Sequence, residues 1–173
     1  MKRALVILLV VCMSVLVVGG CGGNKEEAQK EQAQKSAQAE IARAKKIAED
    51  MGETLISLGR LSTEVVERLD TSSSLEETIK MVGSYLPRYE KIAKTFNAQA
   101  QDFLELDLPD LEEASLSVAK ESVRVYIQAV DAYRDAIKAI SIGNVQEGIE
   151  LIEYGGRLMS LGNDMLNHAG GLL

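Results

Sequence analysis

Residues 116–140 read LSVAKESVRVYIQAVDAYRDAIKAI, and within them Leu116, Ala119, Val123, Tyr126, Val130, Tyr133, Ile137 and Ile140 recur at alternating spacings of three and four. That spacing brings the same side of an α-helix back on every turn, so the stretch predicts a long amphipathic helix with one apolar face. Upstream, Pro109 lacks an amide hydrogen and disfavours helix in the residue before it, and Asp110 with Glu113 offers a new N-cap. Downstream, Gly143 can end the helix in a left-handed conformation, and Asn144 with Glu147 can open the next. Similar stripes flank it. One runs through Ile41, Ala44, Ala48, Met51, Leu55, Leu58, Ser62, Val65 and Leu69. A second runs through Leu75, Ile79, Val82, Leu86, Tyr89, Ala93, Phe96, Ala100 and Phe103, opening at Ser74 and Glu77, which have the spacing of a capping box. The last carries Val145, Ile149, Ile152, Met159 and Leu166. No segment alternates with period two, so the expected fold is all-α: helices at about 39–70, 75–105, 111–141 and 145–168, packed as an up-down-up-down antiparallel four-helix bundle with coiled-coil-like spacing. In that topology the turns at 70–74 and 141–144 form one tip, far from the N-terminus.

Glycine has a period of its own. Gly52 and Gly59 are seven apart, as are Gly148, Gly155 and Gly162, with Ala169 continuing the second series. A glycine inside a helix costs about 1 kcal/mol against alanine, so the series predicts a seam where two backbones approach closely. The expected seam joins the first and last helices within one chain; a homo-oligomer seam or built-in flexibility are the alternatives. Pro87 lies four residues after Gly83 and removes the hydrogen bond to that carbonyl, so a kink is expected in the second helix. Tyr85 and Tyr89 flank it, and Tyr126 and Tyr133 lie on the stripe of the third helix. These four tyrosines are the candidate ligand-binding residues, lining a cavity beside the bend; otherwise they are core residues whose hydroxyls reach water.

Ahead of the helices stands a different kind of segment. Lys2 and Arg3 precede an apolar run from Ala4 to Val18, followed by Gly19, Gly20 and Cys21. A charged start, a short apolar run and small residues at a cleavage point mark a signal peptide, and the run falls short of the roughly 20 residues that span a bilayer. The stretch Val18-Gly19-Gly20-Cys21 resembles the lipobox of bacterial membrane lipoproteins. The resemblance implies cleavage before Cys21, a covalent diacylglycerol on its thiol and, in many bacteria, an N-acyl chain. It thus implies attachment, palmitate-like, to the extracytoplasmic face of a bacterial cell membrane or outer membrane. The alternative is an uncleaved signal anchor, which gives the same exported topology. Residues 1–20 are then the signal peptide, 21–38 the lipidated cysteine with a polar tether or helical extension, and 39–173 the bundle. Removing Lys2 and Arg3 from 19 basic residues leaves 17 against 26 acidic, a net charge of −9. That sign argues against nucleic acid as a partner and leaves the lipid as the membrane contact.

Chemical motifs are sparse. The lone histidine, His168, has no glutamate three residues before it, so di-iron Glu-x-x-His pairs cannot form. With Cys21 acylated there is neither a thiol nucleophile nor a zinc set. The acidic group Asp102, Glu105, Asp107, Asp110, Glu112 and Glu113 lacks the spacing of a calcium loop. No metal, no cofactor beyond the covalent lipid and no enzymatic activity are expected. Two functions stay open. The first is an envelope lipoprotein whose bundle serves as a protein-interaction or structural module for an unidentified protein partner, with homo-oligomerisation possible. The second is a small-ligand-binding or sensing bundle with its pocket near Pro87, resembling only in architecture the extracellular four-helix domains of bacterial receptors.

Overall fold

The computed structural model describes residues 24–71, 74–106, 108 and 113–171, with side chains described from residue 35 onward except at 70. The signal-peptide segment, Cys21, Pro109 and Asp110 lie outside the described residues. Four helices make up the fold: α1 (Asn24–Thr71), α2 (Leu75–Leu104), α3 (Glu113–Ser141) and α4 (Val145–Gly171). Among the described residues there is no strand, and consecutive helices pack on one another to form a four-helix bundle. At 48 residues α1 is much the longest and runs through the segment 24–38. It measures about 72 Å at 1.5 Å per residue.

The helix ends follow from local chemistry. Ser74 is extended (φ −151°, ψ 156°) and its hydroxyl accepts from the Glu77 amide at 3.2 Å, capping α2. At the far end of α3, Gly143 takes φ +94°. There the amide of Gly143 bonds to the Ile140 carbonyl at 3.0 Å and that of Asn144 to the Ala139 carbonyl at 2.9 Å, the paired bonds of a Schellman ending. Asn144 then donates from Nδ2 to Glu147 at the start of α4. α2 continues through Pro87. After α2, Leu106 and Leu108 are buried in the core and Lys120 donates to the Leu106 carbonyl at 2.6 Å.

The contacts between α1 and α2 run in opposite numerical order. Thr54 bonds to Gln99 at 2.9 Å and Glu64 pairs with Arg88 at 3.8 Å between α1 and α2. Between α2 and α3, Tyr89 donates to the Val130 carbonyl at 3.1 Å, Glu90 pairs with Lys138 at 3.5 Å, and a methyl at Gly143 would lie 3.5 Å from Ile79. Tyr89, Phe96, Leu58, Leu61, Ile140, Val65, Val82 and Val130 are the largest fully buried side chains; all but Leu61 lie on the expected stripes of α1, α2 and α3, which form the core. Leu75 departs from its stripe and is exposed at the first turn of α2.

The tightest contact in the molecule is between α3 and α4. Gly148, Gly155, Gly162 and Ala169 are all buried, and their opposite numbers on α3 are Ile140, Tyr133 and Tyr126. An added Cβ at Gly148 would come within 2.8 Å of Ile140 Cδ1 and 3.0 Å of the Ala136 carbonyl; at Gly162 it would come within 2.8 Å of Tyr126 Cε1. Ser122, itself fully buried, donates to the Gly162 carbonyl at 2.9 Å. The glycine series of α4 therefore seats the third helix against the fourth. This corrects the expectation that it joins the first helix to the last. The physical reason lies on α3, where Ser115, Ser122, Ala129 and Ala136 form a second heptad of small, fully buried residues. These small residues on α3 and the glycines of α4 let the two backbones close in, so α3 is buried on two sides.

Candidate functional site

With α4 drawn onto α3, it is held off α1. Among the described residues no Cα of α1 lies within 8 Å of one in α4, whereas every consecutive pair of helices has such approaches. The gap is a cleft of about 860 Å³. Met51, Leu55 and Ile56 line its α1 wall, Ile152, Met159 and Leu166 its α4 wall, and Phe103, Val123, Tyr126 and Tyr133 its floor. Gly52 and Gly59 of α1 also face it, and a Cβ at Gly59 would meet nothing within 4 Å. The glycines of α1 and those of α4 thus play opposite parts: one set leaves room, the other removes it. The apolar stripe of α4 also finds its place here. Ile152 and Met159 are only partly buried because they line the cleft while the glycine face packs on α3; Val145 and Ile149, nearer the start of α4, are partly buried and exposed.

The four candidate tyrosines separate. Tyr89 is fully buried, with its hydroxyl on the Val130 carbonyl, and Tyr85 is half-buried against the core. Neither lines the cleft, and the cleft lies between α1 and α4 instead of beside Pro87. Tyr126 and Tyr133 do line it. Tyr126 donates to Asn163 Oδ1 at 2.9 Å, and the ring of Tyr133 lies over Gly155, 3.2 Å from where a Cβ would stand. The structure therefore brings two of the four together and places the other two in the core. Burial pushes the Tyr126 hydroxyl up to about 12, against a partial offset from Ser122, and burial also raises Tyr133 and Tyr89. Such phenols stay protonated at neutral pH and act there as ring surface and hydrogen-bond donors.

Polar lining is distributed unevenly. The end nearest Asn24, built by Ala48, Met51, Phe103, Val123 and Leu166, is apolar. Charge enters only toward the other end, where Arg60, Glu64 and Glu67 stand on successive turns of α1, and Glu64 is tied to Arg88. Ser160 and Asn163 add neutral polar groups on the α4 wall. Among the described residues no group of three or more His, Cys, Asp or Glu could hold a metal ion, and no helix is long and apolar enough to cross a membrane. Cleft residues that sequence reasoning missed are Gly52, Gly59, Ile56 and Asn163. The heptad of Gly52 and Gly59 is the available signal, and in the structure it marks an opening instead of the expected contact. No protein-family model, curated protein or solved structure matches the chain.

Proposed function

We propose that this chain is an exported bacterial lipoprotein, anchored through acylated Cys21 at the extracytoplasmic face of a cell membrane or outer membrane, whose up-down-up-down bundle is a non-enzymatic binding module. The anchor reading rests on Lys2, Arg3, the apolar run to Val18 and the Val18-Gly19-Gly20-Cys21 stretch. The topology is supported by the opposed numbering of cross-helix contacts. The single observation that carries binding is the cleft between α1 and α4, whose volume falls in the ordinary range for ligand sites of roughly 300–1,000 Å³. Its walls offer apolar contact area, and its buried phenol titrates far from the neutral range in which a general acid or base works best. The ligand site is accordingly placed at the α1–α4 cleft and not at the Pro87 bend. A protein partner at the tip is a second reading, favoured by Ile142, 73 % exposed in the α3–α4 turn, and Leu75, 59 % exposed at the start of α2.

Mass spectrometry of the membrane-extracted chain, under denaturing and then native conditions, tests both parts. The denaturing mass should match cleavage before Cys21 plus acyl chains, and Cys21→Ala should lose that modification. The native mass should carry an additional small non-covalent guest, absent from Gly59→Phe. An unmodified full-length mass would overturn the anchor. A native mass identical to the covalent mass would overturn the binding site.

A further inference from the structure

The cleft's dimensions and polarity restrict what it can hold. From Ala48 to Glu67 it follows α1 for about 28 Å at 1.5 Å per residue. A volume of about 860 Å³ over that length gives a mean cross-section of about 30 Å². An extended peptide finds no partner strand here. Both walls are α-helices whose backbone groups are already bonded internally, so a strand in the cleft would bury unpaired amides and carbonyls. A hydrocarbon chain has no such groups and is narrow enough.

We propose that the cleft binds a single-chain amphiphile, with its hydrocarbon tail toward Ala48, Met51, Phe103 and Leu166 and its polar head beside Arg60, Thr63, Glu64 and Glu67. The inference rests on the binding reading above and gives it a ligand class and a direction. The apolar end carries no charged lining residue, and the other end carries all of them. There Arg60 and Arg88 balance Glu64 and Glu67, so the site has no excess charge to select an anion, and the head it suits is zwitterionic or uncharged. The occupant is a free amphiphile and not the protein's own anchor. Asn24 and Ala48 are separated by about 36 Å of continuous helix, while an acyl chain reaches about 15 Å, half the roughly 30 Å bilayer core.

The test uses the full chain in the membranes of the cells that produce it, exposed to lysophosphatidylcholine carrying a diazirine in its chain, irradiated and mapped by peptide mass. Labelling is expected on the peptides around Met51–Leu55 and Met159–Leu166, suppressed at least tenfold by excess unlabelled lysophosphatidylcholine. It should fall by a similar factor in Gly59→Phe with helical content retained. Labels confined to other peptides, or labels in the cleft that neither the competitor nor Gly59→Phe reduces, would overturn the proposal. The denaturing mass of the same sample reports Cys21 separately. A bound guest of peptidic composition at the cleft would remove the amphiphile and leave the binding reading intact.

Discussion

At the scale of single residues, the buried phenols set the behaviour of the molecule in alkali. Tyr126 has its folded-state value raised to about 12, chiefly by burial, and Tyr89 is raised further by burial next to Tyr133. A raised value means that the folded chain keeps its proton while the unfolded chain loses it. The contribution is therefore fully present below about pH 10, the unfolded phenol value, and is lost as pH rises through the folded one. Stability measured by urea unfolding should be flat in this respect up to about pH 10. Above that it should fall by about 1.4 kcal/mol per pH unit for each buried tyrosine still protonated. Tyr89→Phe should lose about 1 kcal/mol at neutral pH, for its bond to the Val130 carbonyl, and show a shallower alkaline slope. Tyrosinate absorbance rising fully at pH 10 with the fold intact would contradict the burial of these rings.

Among the elements, α3 explains both what the sequence reveals and what it hides. The stripes of α1, α2 and α3 were legible because large apolar residues at spacings of three and four have one physical use, a buried helix face. So were the helix ends, since Ser74 and Gly143 are residue types with a specific local function. The second buried face of α3 was not legible. Ser115, Ser122, Ala129 and Ala136 are neither large nor uniformly apolar, and burial of a serine depends on a partner such as the Gly162 carbonyl that only the tertiary structure supplies. For the same reason the glycine series was recognisable as a close approach while the helix approached was not. Gly148→Ala tests the α3–α4 contact. Alanine gains about 1 kcal/mol of helix propensity, but its methyl would have to displace Ile140 and press on the Ala136 carbonyl, an overpacking cost of typically 1–3 kcal/mol. A net loss of stability in chemical unfolding is expected, and a gain would show the contact to be loose.

For the whole molecule, the decisive feature is that two glycine heptads on the outer helices do unlike work. Four helices in a ring would bury all their stripes. Here α4 turns its glycine face to α3, part of its apolar stripe borders a cleft, and α1 closes on α2 and touches α3 but not α4. Four helices packed as a bundle were readable from periodicity, yet the opening was not, because a hydrophobic stripe looks the same whether it faces a packed neighbour or a cleft. Tyr85 and Tyr89 serve the α2 side of the core, whereas the cleft lies between α1 and α4. The measurement that tests the open α1–α4 cleft most directly is a comparison of melting temperatures for Gly59→Leu and Gly162→Leu in the full chain. With nothing within 4 Å of a Cβ at Gly59, and Tyr126 at 2.8 Å from one at Gly162, the first variant should melt at or above the parent and the second several degrees below. Equal losses in both would mean that α1 packs against α4, and that the cleft does not exist.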